Sequence, residues 1–133
     1  MHVDRINPPE LIPPYGHTHV VRVTGGTTLY VSGQGPYTAA HELVGPGDHY
    51  LQSKQAFTNL LHALAGAGAT FCDVVKANYY VVGLDDAALD GFTRAMQEVL
   101  GADAEPPPAA TLVGVEALAF PAMLVEFEAI AVV

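Results

Sequence analysis

The sequence predicts an α+β fold in which two helices cover one face of a β-sheet. Three observations predict it. Two stretches repeat apolar residues at helical spacing, several short runs are rich in β-branched and aromatic residues, and these elements follow one another as β-β-α-β-α-β-β. The 133 residues suit a single domain spanning 1–133, and half of them are hydrophobic, enough for a core without disulfides.

The first two strands are expected at 20–23 and 29–32. Between them stand Thr24, Gly25, Gly26 and Thr27, and the Gly-Gly pair supplies the positive φ angles of a tight hairpin. Residues 33–47, rich in Gly, Pro and His, read as a loop. Asp48 is placed to cap a helix whose apolar face is Phe57, Leu60, Leu61 and Leu64, and Gly66 and Gly68 stop it. Residues 73–82 form the third strand, with Val74, Val75, Tyr79, Tyr80, Val81 and Val82 loading both of its faces. Asp85 or Asp86 caps the second helix, which buries Leu89, Phe92, Met96, Val99 and Leu100. Pro106, Pro107 and Pro108 lack N–H donors and exclude a helix there. The last strands fall at 110–115 and 123–133.

Two helices can cover only one face of a sheet. The third strand is apolar on both faces. The last strand also loads both, with Val125, Phe127 and Ala129 on one side and Ile130 and Val132 on the other. The uncovered face has to be buried, and in so short a chain a second copy does this most simply.

Charge narrows the partners. Five basic residues face fourteen acidic ones, for a net charge of -9, and the basic ones are scattered. Nucleic-acid binding needs clustered Lys and Arg, so none is expected. No apolar run reaches the roughly 18–20 residues needed to cross a bilayer. Residues 1–14 lack the basic start and apolar run of a signal peptide. Cys72 is the single cysteine; it falls at a helix-to-strand turn and is expected as a buried structural thiol. These features fit a cytoplasmic protein.

An ordered set of short segments carries a family likeness: Pro14-Tyr15; Tyr30-Val31-Ser32-Gly33-Gln34; Gln52 and Gln55-Ala56-Phe57-Thr58-Asn59-Leu60; Ala67-Gly68-Ala69; Asp73-Val74-Val75-Lys76; and Val125-Glu126-Phe127-Glu128-Ala129-Ile130-Ala131. In this order and spacing the chain resembles the Rid (reactive intermediate deaminase, YjgF-type) family over nearly its whole length. The resemblance implies a chorismate-mutase-like fold and a homotrimer with a ligand cleft between each pair of subunits. It also implies cofactor-free hydrolysis of enamines and imines, such as 2-aminoacrylate, to a keto acid and ammonia. By the same resemblance Glu126 orients the attacking water, Tyr15 closes the cleft, and Ser32 and Gly33 line it. His17 is placed at the cleft mouth beside Tyr15. Glu128, two residues beyond Glu126, shares its strand face but reads as solvent-facing. His17 and His19 project from one strand face, but no third fixed ligand accompanies them and no metal is expected.

The likeness breaks where it matters for substrate. The typical deaminase carries Pro-Ala-Arg-Ser or Pro-Ala-Arg-Thr, whose arginine grips the substrate carboxylate. Here the stretch is Pro108-Ala109-Ala110-Thr111, so the arginine is Ala110, the cysteine two residues on is Leu112, and an asparagine of the second helix falls at Gly91. A charge-assisted hydrogen bond contributes about 1.5–3 kcal/mol. Losing a bidentate pair should therefore weaken recognition of a 2-imino acid by roughly 10²-fold. The smaller, less polar Ala110 and Leu112 suit a bulkier or uncharged ligand. Arg94 and Arg22 are the arginines that could reach the cleft from elsewhere, against a default of solvated surface heads. Two functions stay open: a hydrolytic deaminase using Glu126, and a non-catalytic trimer binding a small metabolite. RNA cleavage is disfavoured by charge.

Light scattering on the purified protein is expected to give the mass of a trimer. A monomer mass would contradict the argument from the uncovered sheet face.

Overall fold

A computed structural model describes residues 1–133. Its elements, in chain order, are β1 (His2–Ile6), β2 (Val20–Thr24), β3 (Thr28–Gln34), α1 (His49–Gly66), β4 (Val74–Val82), α2 (Asp86–Leu100), β5 (Ala109–Val115) and β6 (Val125–Val132). The main sheet has strand order β3-β6-β4-β5, and β1 and β2 form a separate antiparallel ribbon. β6 runs antiparallel to both neighbours, whereas β4 and β5 are parallel. A parallel pair needs a long crossover, and α2 supplies it.

Local chemistry sets the helix ends. The Asp48 carboxylate accepts from the Leu51 amide at 2.9 Å, and Asp85 accepts from Ala88 at 2.8 Å, so each helix has one of its free N–H groups satisfied. α1 closes at Gly66, and Gly68 just beyond takes a left-handed φ of 76°. Where the helices cross, Gly91 is buried, and a Cβ there would stand 3.1 Å from the Tyr50 backbone nitrogen. Gly91 thus belongs to the α1–α2 contact.

The core lies between the helices and one face of the sheet. Val125, Phe127, Ala129 and Ala131 of β6 alternate inward, as do Ala77, Tyr79 and Val81 of β4. Phe127 is the hub. Its ring centroid lies 4.4 Å from Phe57 of α1, 5.3 Å from Tyr79 and 5.5 Å from Phe92 of α2, the last two nearly edge-on.

The two-helix, one-face architecture follows the expected plan, with four differences. The N-terminal segment adds a strand, β1, with only Val3 and Ile6 as apolar members; it pairs at the margin with β2, so its sequence needs no alternating apolar pattern. Gly25 and Gly26 do take positive φ, 77° and 87°, but β2 ladders with β1 and β3 with β6, so the expected hairpin partners diverge. A register shift between Val74 and Lys76 resets the alternation of β4, and the residues opposite the helices become Lys76, Asn78 and Tyr80. That face is consequently more polar than expected. Finally, Cys72 is exposed. It sits in a 3-10 turn whose neighbour Phe71 takes the inward position.

Phe127→Ala should destabilise the fold by about 3–5 kcal/mol, because it removes the ring that three others pack on. Urea unfolding should show the loss as a lower midpoint with little change in slope.

Candidate active site

The residues singled out from sequence divide into two groups on opposite faces of the sheet. Ala110 and Leu112 of β5 stand in register with Ala77 and Tyr79, the helix-facing residues of β4. With Tyr15, Gly16 and His17 from the N-terminal loop, and Leu89, Phe92, Thr93 and Met96 from α2, they line a largely apolar cavity of about 420 Å³. Tyr15 is 93% exposed in the single chain, so its ring forms the rim and does not close the cavity. The loop is braced locally: His17 Nδ1 lies 3.0 Å from the Tyr15 carbonyl, and His19 Nε2 lies 2.8 Å from that of Ile12. The two imidazoles pack edge-on at 4.8 Å.

Glu126 lies on the other face. It pairs in register with Tyr80 and points away from the helices. Its side chain lies directly over Gly33: a Cβ on Gly33 would be 2.3 Å from Oε1 and 2.7 Å from Cδ. Gly33 has no positive φ, so its lack of a side chain serves this close approach and not an unusual turn. Ser32 is on the same strand and lines a second cavity of about 250 Å³ with Tyr30, Lys76, Asn78, Glu128 and Ile130.

Glu128, expected to face solvent, is instead the centre of a polar cluster. Asn78 Nδ2 donates to its Oε1 at 3.1 Å and the Tyr80 hydroxyl donates to the same oxygen at 2.6 Å. This bond to a carboxylate holds the Tyr80 phenol above its ordinary pKa. Glu126 carries no such bond from either residue, so the two carboxylates sit in different settings.

Within the chain, Arg94 and Arg22 are engaged by other partners. Arg94 stacks on the Tyr50 ring at 4.2 Å and reaches Asp90 at 3.3 Å; Arg22 Nε binds Asp4 at 2.9 Å. Both are held on the outside of the molecule. Sequence reasoning also missed cavity residues. Leu89, Phe92 and Met96 were legible as an apolar helix face, but periodicity does not separate a packed core from a cavity wall. Asn78 did carry a signal, as a polar residue inside an apolar strand.

Fold and site together define a small α+β protein whose candidate residues are split between a helix-side cavity and an open sheet face. The family model described as Endoribonuclease L-PSP matches residues 6–133. A relative from Dermatophagoides farinae, described as 2-iminobutanoate/2-iminopropanoate deaminase, is 34% identical over 126 residues, covering 94% of this chain and 90% of its own. Among solved structures, YyfB from Yersinia pestis, a Rid-family protein of unknown function, is 39% identical, with a TM-score of 0.87 and full coverage of both chains. Rv2704 from Mycobacterium tuberculosis, of the YjgF-type family, is 30% identical with a TM-score of 0.64, covering 89% of this chain and 87% of its own. The chain belongs to the Rid (YjgF-type) family and has that family's fold.

Gly33→Ala should displace the Glu126 carboxylate, because the new methyl would occupy its place. The clash runs along the Glu126 side chain from Cγ to Oε1, and a change of rotamer relieves it, so stability should fall by about 1–3 kcal/mol. A crystal structure of the variant should show Glu126 in a new rotamer, with the strand pairing of β3 and β6 kept.

Proposed function

We propose that this chain assembles as a homotrimer and hydrolyses a reactive imine or enamine at clefts between subunits. The division of the site carries this reading. Tyr15, His17, Ala110 and Leu112 lie on one face of the sheet and Ser32, Gly33 and Glu126 on the other, so one chain does not complete a site. A neighbouring copy seated on the open face would cover Tyr30, which is 81% exposed, and bring one copy's Glu126 face towards another's cavity. The deaminase description of the mite relative supports the reaction class.

The chemistry asks little of the protein. Water adds to the electrophilic carbon of the protonated imine, Glu126 takes the proton that water loses, and the same proton returns to the nitrogen. As the C–N bond breaks, the hydroxyl proton passes to the Glu126 carboxylate and leaves on the released nitrogen, giving a carbonyl and ammonium. Holding water and substrate together, with one carboxylate to relay the proton, supplies the rate. No cofactor enters this scheme.

The substrate is not the usual 2-imino acid in this reading. The cavity wall at Ala110 and Leu112 offers no cation beside the reacting carbon, and a bulkier body is the better fit. RNA is a poor candidate too: Arg22, Lys54 and Arg94 each face a carboxylate, leaving little charge for a phosphate backbone.

Purified protein should release ammonia from at least one member of a panel of acyclic imines, enamines and 2-aminoacrylate generated in situ. Glu126→Gln should lower that rate by roughly 10²-fold or more, as expected for loss of a general acid–base group. No release above buffer across the panel would overturn the enzymatic reading. Saturable binding without turnover would then leave the metabolite-binding trimer.

A further inference from the structure

Beside the apolar cavity lies a third, more polar one, of about 250 Å³, that shares Gly16 and His17 with it. Arg5, Asn7, Thr18 and Glu105 contribute polar groups to its wall, and the rings of Pro14, Pro106 and Pro107 complete it. The loop whose Gly16 and His17 border both cavities is fixed in place. The Thr18 amide donates to the Pro108 carbonyl at 2.9 Å and its hydroxyl donates to the Pro107 carbonyl at 2.5 Å, two and three residues before Ala110. The polar cavity is therefore held at a set position relative to the start of β5.

Arg5 is the unusual member. Of the chain's three arginines, Arg22 and Arg94 are paired with Asp4 and Asp90, whereas Arg5 makes no ion pair. Its Nε is buried and has no hydrogen-bond partner. A buried guanidinium nitrogen without an acceptor is costly, and a planar anion is the group that satisfies its fork geometry. Asn7 stands beside it. Its side-chain oxygen already accepts from the His19 amide at 2.9 Å, which leaves its NH₂ group as a second donor. Glu105 is exposed on the rim of the same cavity and opposes an anion there.

We propose that Arg5 anchors a carboxylate at the far end of an elongated ligand whose apolar body occupies the cavity of Tyr15, Phe92, Ala110 and Leu112. The anion-binding function is thereby moved from β5 to β1, and away from the reacting carbon. This inference rests on the reading of the apolar cavity as the ligand site. It specifies the ligand class as an ω-carboxylate with an apolar chain.

Chain-matched probes test it. Hexanoate and 1-hexanol are titrated into the protein and followed by amide chemical shifts. The wild type should bind hexanoate about tenfold more tightly than hexanol, the size of effect one charge-assisted hydrogen bond gives. Shifts should centre on Arg5, Asn7, Gly16 and His17. Arg5→Gln should abolish the preference, Arg5→Lys should keep part of it, and Glu105→Gln should raise it. A folded spectrum for each variant shows that the effect is local. A hexanoate preference that survives Arg5→Gln, or hexanol bound as tightly as hexanoate by the wild type, would overturn the Arg5 assignment alone. Failure of both probes to bind would overturn the apolar cavity as a ligand site as well.

Discussion

The alternation of β6 is the constraint on which the rest of the structure depends. Phe127 must point towards the helices, because Phe57, Tyr79 and Phe92 all pack on it. With a strand period of two, burying Phe127 puts Glu126 and Glu128 on the other face. A one-residue slip would bury two carboxylates and expose the hub of the core. Packing energy thus fixes the orientation of the acidic residues.

Side-chain amides then tie the loops to this frame. Gln52 is fully buried on α1; its Nε2 donates to the carbonyls of Gly45 and Ala122, and its Oε1 accepts from the Leu124 amide. Asn59, nearly two turns along the helix, donates to the carbonyls of Gly35 and Tyr37 and accepts from Gln55. Buried loop carbonyls need partners, and these amides supply them. Gln52, Gln55 and Asn59 contribute strongly to the family likeness of the sequence, yet the structure gives them architectural work. They hold the loop before α1 and the segment entering β6, the two connections that flank Gly33 and Glu126.

The distribution of positive charge separates what is structural from what is available. Lys54 and Arg94 flank the Tyr50 ring, whose hydroxyl donates to Glu98; the Glu98 carboxylate is held below its ordinary pKa by that bond first and by Lys54 next. Arg22 does the same service for Asp4 across the β1–β2 ribbon. These exposed pairs contribute little stability each. Their consequence is that, in a chain with a net charge of -9, the guanidinium of Arg5 is left facing a cavity.

Much of this was legible in the sequence. The Phe57-Leu60-Leu61-Leu64 spacing gave the first helix, Asp48 gave its cap, the second cap was narrowed to Asp85 or Asp86, and the Val125-Phe127-Ala129 alternation placed Glu126 and Glu128 on one face. All are local signals, set by helix and strand periods and by short-range hydrogen bonds. The ordered segments also carried the family. The β1 strand was not legible, because a marginal strand paired only with a hairpin-like neighbour needs no apolar alternation. Nor was the exposure of Cys72, decided by which residue of a single turn faces inward, nor the bulge that turned Lys76, Asn78 and Tyr80 towards the open face. The sequence by itself determined both helices, every strand but β1, and the loss of the arginine at 110. Only the tertiary structure decided that Glu126 and Ala110 lie on opposite faces of the sheet, that Gly33 makes room for a carboxylate, and that Arg5 stands unpaired. Each of these depends on contacts between residues far apart in the chain, which no local period encodes.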